Sequence, residues 1–145
     1  MDQSEIVRYV SETFPGVDVL QPTDGPGAGD TFFIYDPDRN LEGKQQFPFA
    51  TIVTKDYGDF DKSSNLDRPG VYRLNIGLSR DTFRSATSDA APAPDYSAFD
   101  ELQPHPNYAS QAWVCIVSPS QETFNSIIQP LLSDAYGVAV KRLRR

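Results

Sequence analysis

The clearest alternation of hydrophobic and polar positions lies between Tyr72 and Leu78. A period of two predicts a strand with one face in a core. The apolar set is Tyr72, Leu74, Ile76 and Leu78, and the opposite set is Arg73, Asn75 and Gly77. Ser79 then predicts the N-cap of a short helix. We therefore expect one face of this strand to pack in a core and the other to present polar groups near a helix N-terminus.

Further extended segments flank this strand, and turn residues separate them. A Gly- and Pro-rich stretch at 22–29 predicts a loop, and it lacks the spacing of a phosphate-binding loop. Strand composition predicts extended segments at 17–20, 31–35, 47–54 and 112–117. The polar segment 55–69 is expected to loop over an edge of the sheet.

Helices are predicted at both ends of the chain. Residues 2–14 carry an apolar stripe, and Asp2 and Glu5 have the spacing of a capping box. A second stripe runs from Phe124 to Ala139, and Pro130 predicts a kink or two consecutive helices. Strands joined by turns, with helices at the two ends, indicate an α+β fold. The expected architecture is two-layered, an antiparallel sheet with both helices on one face, in a single domain over residues 1–145.

Residues 85–111 form the longest segment without a clear periodicity. Four prolines fall in it, namely Pro92, Pro94, Pro104 and Pro106. Loops of this length are uncommon in a small domain, so the segment predicts either a lid or a poorly ordered insertion.

Charge and composition narrow the function classes. The formal net charge of −7 argues against nucleic-acid binding, which usually needs a basic surface. The basic residues at 141–145 either complement a helix dipole or form a phosphate- or partner-binding tail. Because there is one cysteine and one histidine, a disulfide, a Cys-based zinc site and a His-rich metal site are excluded, and we expect no metal or cofactor. No signal peptide or membrane span is predicted, so the expected location is the cytoplasm.

Several segments carry a family resemblance. They are residues 70–83, 105–108, 111–115 and 130–136, with further likeness at 14–16, 30–33 and 47–51. These segments resemble a family of small bacterial proteins of unknown function. The order of elements is more distantly similar to the MmcQ/YjbR group. That likeness implies a frataxin-like two-layer fold, and it brings a suggested DNA role that conflicts with the negative charge of this chain.

Two residues are candidates for catalysis. His105 lies between two prolines, and it is expected to be a surface residue or a local hydrogen-bond partner. The alternative is a general base or a ligand contact, because the pKa of histidine lies near neutrality. Cys115 lies within a predicted strand and is expected to be a buried, inert thiol, with a Cys–His pair as the alternative.

Acidic residues cluster in two predicted turns. Asp36 and Asp38 lack the spacing of a calcium loop, and so does the set Asp56, Asp59 and Asp61. Solvated turns are the expected role of all five residues, and a cation site or acid–base work is the alternative.

Arg73 and Asn75 point to the same side of their strand and are our main candidates for ligand binding, with Tyr108 and Trp113 as neighbours. Thr51 and Lys55 are further candidates for this face. The alternatives are a solvated face with a structural Arg–Asp pair, or a shallow groove in which Arg73 binds a carboxylate or phosphate and Trp113 provides a flat wall.

Three functions follow from these candidates. The leading hypothesis is a non-enzymatic protein that binds a small anionic ligand or a protein partner on the open face of the sheet. The second is a small hydrolase or isomerase that uses His105 with Arg73. Nucleic-acid binding ranks last.

Overall fold

Six strands form one antiparallel sheet in the computed structural model, which describes residues 1–90 and 92–144. They are β1 (Val17–Leu20), β2 (Thr31–Tyr35), β3 (Ala50–Val53), β4 (Arg73–Gly77), β5 (Gln103–Pro104) and β6 (Trp113–Val117). Their spatial order is β1-β2-β3-β4-β6-β5, so β4 lies inside the sheet between β3 and β6. The predicted strands are present: β1 and β2 have the predicted bounds, and β3, β4 and β6 are shorter than predicted. The edge strand β5 was not predicted, because prolines are a poor sequence signal for a strand.

Helices lie at both ends of the chain and after β4. They are α1 (Gln3–Thr13), α2 (Arg80–Ala86), α3 (Gln121–Thr123) and α4 (Gln129–Leu143). The predicted capping box of α1 is present, since the side chain of Asp2 accepts the backbone N–H of Glu5 and the side chain of Glu5 accepts that of Asp2. Ser79 caps α2 by accepting the N–H of Thr82.

The expected interruption at Pro130 takes the form of a wide helical turn. Residues Phe124–Ile128 form a π-helical turn that joins α3 to α4, and Pro130 follows within the first turn of α4. Proline has no N–H for the carbonyl four residues earlier, and its ring crowds that carbonyl. A π-helical turn next to the proline accommodates both effects without ending the helix.

The main core lies between the terminal helices and one face of the sheet. Ile6 and Val10 of α1, together with Leu132 of α4, pack against Leu74 and Ile76 of β4 in one buried cluster. The α+β fold with an antiparallel sheet and terminal helices is therefore confirmed. The frataxin-like likeness and the single-domain assignment stay predictions.

The other face of the sheet was expected to be open, but loop residues cover the part of it that carries Arg73. Arg73 lies opposite Val53 and Val117, and Asn75 lies opposite Thr51 and Cys115. The predicted side was right, because this row faces away from the main core. The predicted exposure was wrong, since Arg73 is 0% exposed and Asn75 is 5% exposed. The physical reason is that residues 57–64 cross this face and supply hydrogen-bond partners to Arg73.

Part of the Pro-rich segment is integrated into the sheet. β5 pairs with β6, and Gln103 and His105 are buried. A poorly ordered insertion is therefore the wrong description of residues 103–111, and Ala91 lies outside the described residues. Among the helices of the described chain, none is both long enough and apolar enough to cross a membrane.

Candidate functional site

A cavity of about 530 Å³ lies on the face of the sheet opposite the terminal helices, and we call it the sheet-face cavity. Strands β3, β4 and β6 contribute to its floor. Loop residues form most of its walls. The lining residues are Pro26, Gly27, Phe32, Phe47, Pro48, Thr51, Val53, Tyr57, Phe60, Asp61, Arg73, Asn75, His105, Tyr108, Gln111 and Trp113. This volume lies within the range of small-molecule sites, which combine mostly apolar walls with a few polar groups.

The walls of the cavity carry exposed aromatic rings. Phe60 is 64% exposed, and its ring centroid lies 6.2 Å from that of Tyr108 on the neighbouring loop. The side-chain amide of Asn107 donates to the backbone carbonyl of Phe60 at 3.0 Å, which ties the two loops together. Phe47 is another exposed ring of this wall. Large apolar side chains are therefore left in contact with solvent around one concavity.

The floor contains a buried ion pair. The guanidinium of Arg73 donates to both carboxylate oxygens of Asp61, and the Nη1–Oδ1 distance is 3.0 Å. Nη1 also donates to the Ser64 hydroxyl at 3.0 Å, and Nε donates to Oδ1 of Asn75 at 2.9 Å. Asn75 in turn donates to the Thr51 hydroxyl at 3.0 Å. A bidentate carboxylate satisfies the geometry of a guanidinium and compensates its charge.

This pair changes the role that the sequence predicted for Arg73. One of the two alternatives for Arg73 was a structural Arg–Asp pair on a solvated face. Arg73 does form such a pair with Asp61, but the pair is buried rather than solvated. Because Asp61 already holds the bidentate position, an external carboxylate or phosphate cannot take it while the pair is intact. This geometry therefore contradicts the prediction that Arg73 binds the carboxylate or phosphate of a ligand in a bidentate manner.

His105 lies beside this pair at the floor of the cavity. Its Nδ1 accepts the backbone N–H groups of Asn107 and Tyr108 at 3.0 and 3.1 Å. Its Nε2 lies 3.4 Å from Nη2 of Arg73. Burial, and secondarily the positive charge of Arg73, lowers the pKa of His105 to about 4. The imidazole is therefore neutral at physiological pH. His105 is a buried, local hydrogen-bond partner, which is one of the expected roles, and it is not an exposed surface residue.

Trp113 forms a flat wall because its cross-strand neighbour is a glycine. Gly77 lies opposite Trp113, and a Cβ atom at position 77 would lie 2.8 Å from two carbons of the indole ring. Only a residue without a side chain leaves room for the ring to lie across β4 in this way. The indole also lines a second, smaller cavity of about 270 Å³ towards α4.

The structure brings together most of the predicted site residues. Arg73, Asn75, Tyr108, Trp113 and His105 all line the sheet-face cavity, and Thr51 does as well. Lys55 does not, because its ammonium group contacts the carbonyl of Ala28 and the carboxylate of Asp30. Whether these residues bind a ligand stays a prediction.

Sequence reasoning missed the residues that cross the sheet. Phe60 was given no role, Tyr57 was overlooked, and Asp61 was interpreted as one of several turn aspartates. The available signal was the strand arginine itself, since a buried guanidinium needs a carboxylate. The number of residues between Arg73 and each aspartate did not distinguish Asp61 from Asp56 or Asp59 as the partner.

The remaining candidates have structural contacts. Burial raises the pKa of the Cys115 thiol to about 12, in agreement with an inert thiol, and its Sγ lies 3.9 Å from the carbonyl oxygen of Pro104. The carboxylate of Asp36 accepts backbone N–H groups of the following turn, and that of Asp56 accepts the N–H of Leu66. Asp59 contacts Lys62 at the surface. Within residues 1–90 and 92–144, no group of three His, Cys, Asp or Glu side chains could hold a metal ion.

The fold and the cavity define a class, namely an α+β protein with a concave, aromatic-walled site on the helix-free face of its sheet. A protein-family model described as a family of unknown function (DUF6194) matches residues 1–145. The chain belongs to this family, which confirms the predicted membership in a family of unknown function. Comparison with curated proteins and with solved structures gave no match. The distant likeness to the MmcQ/YjbR group stays a prediction.

Proposed function

We propose that this protein binds a small molecule with a planar, apolar body in the sheet-face cavity. The observation that carries the proposal is the cavity itself, about 530 Å³ in volume and walled by exposed aromatic rings. Apolar rings in contact with water at a concavity are the usual mark of a binding site. A concave site of this size suits a small molecule better than it suits the flat surface of a protein partner.

The charges of the floor support a neutral ligand rather than the anion that the sequence analysis favoured. Arg73 and Asp61 compensate each other, and His105 is uncharged at physiological pH. The groups that face the ligand therefore have no net charge. An anion placed there would lie beside the Asp61 carboxylate without a free bidentate partner.

The alternative functions have less support. A hydrolase or isomerase that uses His105 with Arg73 would need a proton acceptor effective near neutrality, and a pKa of about 4 makes the imidazole a poor base there. The net charge of −7 gives nucleic-acid binding no basis. We also propose a cytoplasmic location, because a lone cysteine suits a reducing compartment.

Fluorescence provides a direct test, because Trp113 is the chain's single tryptophan and lines the cavity. We expect titration with planar, neutral heteroaromatic fragments to give a saturable change in Trp113 emission. Phe60→Ala should weaken the affinity about two- to tenfold, which is the size of a lost aromatic contact. Both the fold and the emission of the free protein should persist, since Phe60 is mostly exposed.

Phe99→Ala is the matched control. Phe99 is 52% exposed, contacts the guanidinium of Arg68 and does not line the cavity. It should leave the affinity unchanged. The absence of saturable binding by any fragment, or equal weakening by the two substitutions, would show that the cavity is not the site.

A further inference from the structure

The tautomer of His105 follows from its contacts. The neutral imidazole carries one N–H, and its second nitrogen is an acceptor. Nδ1 accepts two backbone N–H groups, from Asn107 and Tyr108. A proton on Nδ1 would point at both of them. We therefore assign the proton to Nε2, which makes Nε2 a hydrogen-bond donor at the floor of the cavity.

Arg73 presents a second donor at the same place. A guanidinium has five N–H groups. Four of them have acceptors, which are the two Asp61 oxygens, the Ser64 hydroxyl and the Asn75 carbonyl oxygen. The fifth, on Nη2, faces Nε2 of His105 at 3.4 Å. Two donors therefore face each other, and we call them the donor pair.

A donor pair without an acceptor is unfavourable in a buried site. Arg73 is fully buried and His105 is 3% exposed. A buried donor left without an acceptor costs about 1–3 kcal/mol. A carbonyl oxygen placed in the cavity beside Nε2 can accept the N–H of His105. Arg73 has no exposed surface and keeps its hydrogen bonds to Asp61, Ser64 and Asn75.

From this arrangement we infer that the ligand of the sheet-face cavity carries a neutral carbonyl oxygen, as in a cyclic ketone, lactam or aromatic amide, which accepts the Nε2–H of His105. This inference rests on the proposed function and names the chemical class of its ligand. The apolar body of the ligand lies against Trp113, Phe60 and Tyr108, and the oxygen lies at the floor.

A carboxylate fits the donor pair less well than a carbonyl. Its negative charge would lie next to Asp61, and the charge of Arg73 is already compensated by that residue. Burying a charge without a partner is costly, whereas a carbonyl brings no net charge. The site is therefore expected to discriminate against the acid that corresponds to a bound ketone.

Three probes share one bicyclic body, namely 1-indanone, indane and indane-1-carboxylate. Comparing them separates the effect of the carbonyl oxygen from those of the apolar body and of a negative charge. Dissociation constants are measured from amide shifts of the 15N-labelled protein. We expect 1-indanone to bind roughly tenfold more tightly than indane, because its carbonyl oxygen accepts the Nε2–H of His105 and indane has no acceptor. The carboxylate should bind more weakly than 1-indanone.

His105→Asn tests the donor directly. The Asn carbonyl can take the place of Nδ1 in accepting the backbone N–H of Asn107, while the Nε2–H donor is lost. The variant should lose the preference for 1-indanone over indane. In the wild type, which needs no substitution, the Nε2–H resonance of the chain's single histidine should shift with 1-indanone and stay unchanged with indane.

The possible failures are distinguishable. Equal binding of indane and 1-indanone, tighter binding of the carboxylate, or an unchanged ketone preference in His105→Asn would each overturn the inference and leave the binding site in place. If no probe binds the wild type, both the inference and the proposed function are overturned.

Discussion

Arg73 shows how one side chain can organise the helix-free face. It is the largest fully buried side chain of the described residues, and removing its charge from water is costly. Asp61, Ser64 and Asn75 offset that cost with directed hydrogen bonds. Asp61 and Ser64 belong to residues 57–64, the crossing segment that lies over this face of the sheet. The guanidinium therefore determines where the crossing segment lies over β4. The pair therefore shapes the cavity rather than adding greatly to stability.

His105 gives the protein a pH-dependent stability of known sign. The pKa of a histidine in an unfolded chain is about 6.5, and in the folded chain it falls to about 4. Between these values the unfolded state binds a proton and the folded state does not. The contribution of His105 to the free energy of unfolding should therefore be fully present above about pH 6.5. It should decrease as the pH is lowered, by at most about 1.4 kcal/mol per pH unit.

Urea unfolding of the wild type and of His105→Asn between about pH 7 and pH 5 measures this term. The carboxylates are common to both proteins, so the difference between the two curves isolates the histidine. We expect the wild type to lose its stability more steeply than the variant as the solution becomes acidic. Parallel curves would mean that the imidazole titrates in the folded protein as it does in water.

At the scale of elements, local signals predicted what local physics determines. The alternation in β4 and the capping box of α1 depend on neighbouring residues, and both are present in the structure. The side to which Arg73 points follows from the same alternation. The covering of that side does not, since it depends on which aspartate reaches the guanidinium across a loop. β5 was missed for a similar reason, because it is formed by pairing with β6 and not by its own composition.

Substitution by alanine should have opposite effects at Gly77, which lies opposite Trp113, and at Gly137 in α4. Gly77→Ala would place a Cβ atom 2.8 Å from the indole, so the ring must move. We expect a loss of about 1–3 kcal/mol, as in overpacked cores, and a shift in tryptophan emission. Gly137→Ala, inside α4, meets no atom within 4 Å. It should stabilise the protein by about 0.5–1 kcal/mol, because alanine favours a helix interior.

Thermal unfolding with emission spectra measures both variants. A stable Gly77→Ala protein with unchanged emission would contradict the close packing of the indole on β4. A loss of stability in Gly137→Ala would instead argue against an unobstructed position in the helix.

At the scale of the molecule, the sheet has a different role on each face. The face with Leu74 and Ile76 packs against the terminal helices, and the face with Arg73 and Asn75 forms the floor of the cavity. The two sets of residues alternate along one strand, so β4 belongs both to the main core and to the cavity floor. The geometry of the cavity is thereby coupled to the main core.

This coupling predicts a single cooperative unfolding transition. Trp113 reports the cavity side by fluorescence, and far-ultraviolet circular dichroism reports mainly the helices on the other side. Because β4 is shared, the two signals should change at the same urea concentration and with the same slope, as expected for two-state unfolding. The matched measurement in Phe60→Ala should keep the transitions coincident, since that exposed ring contributes little to the core. A tryptophan transition at lower urea than the helical one would mean that the crossing segment and its cavity open on their own, and the residues would then form two units rather than one.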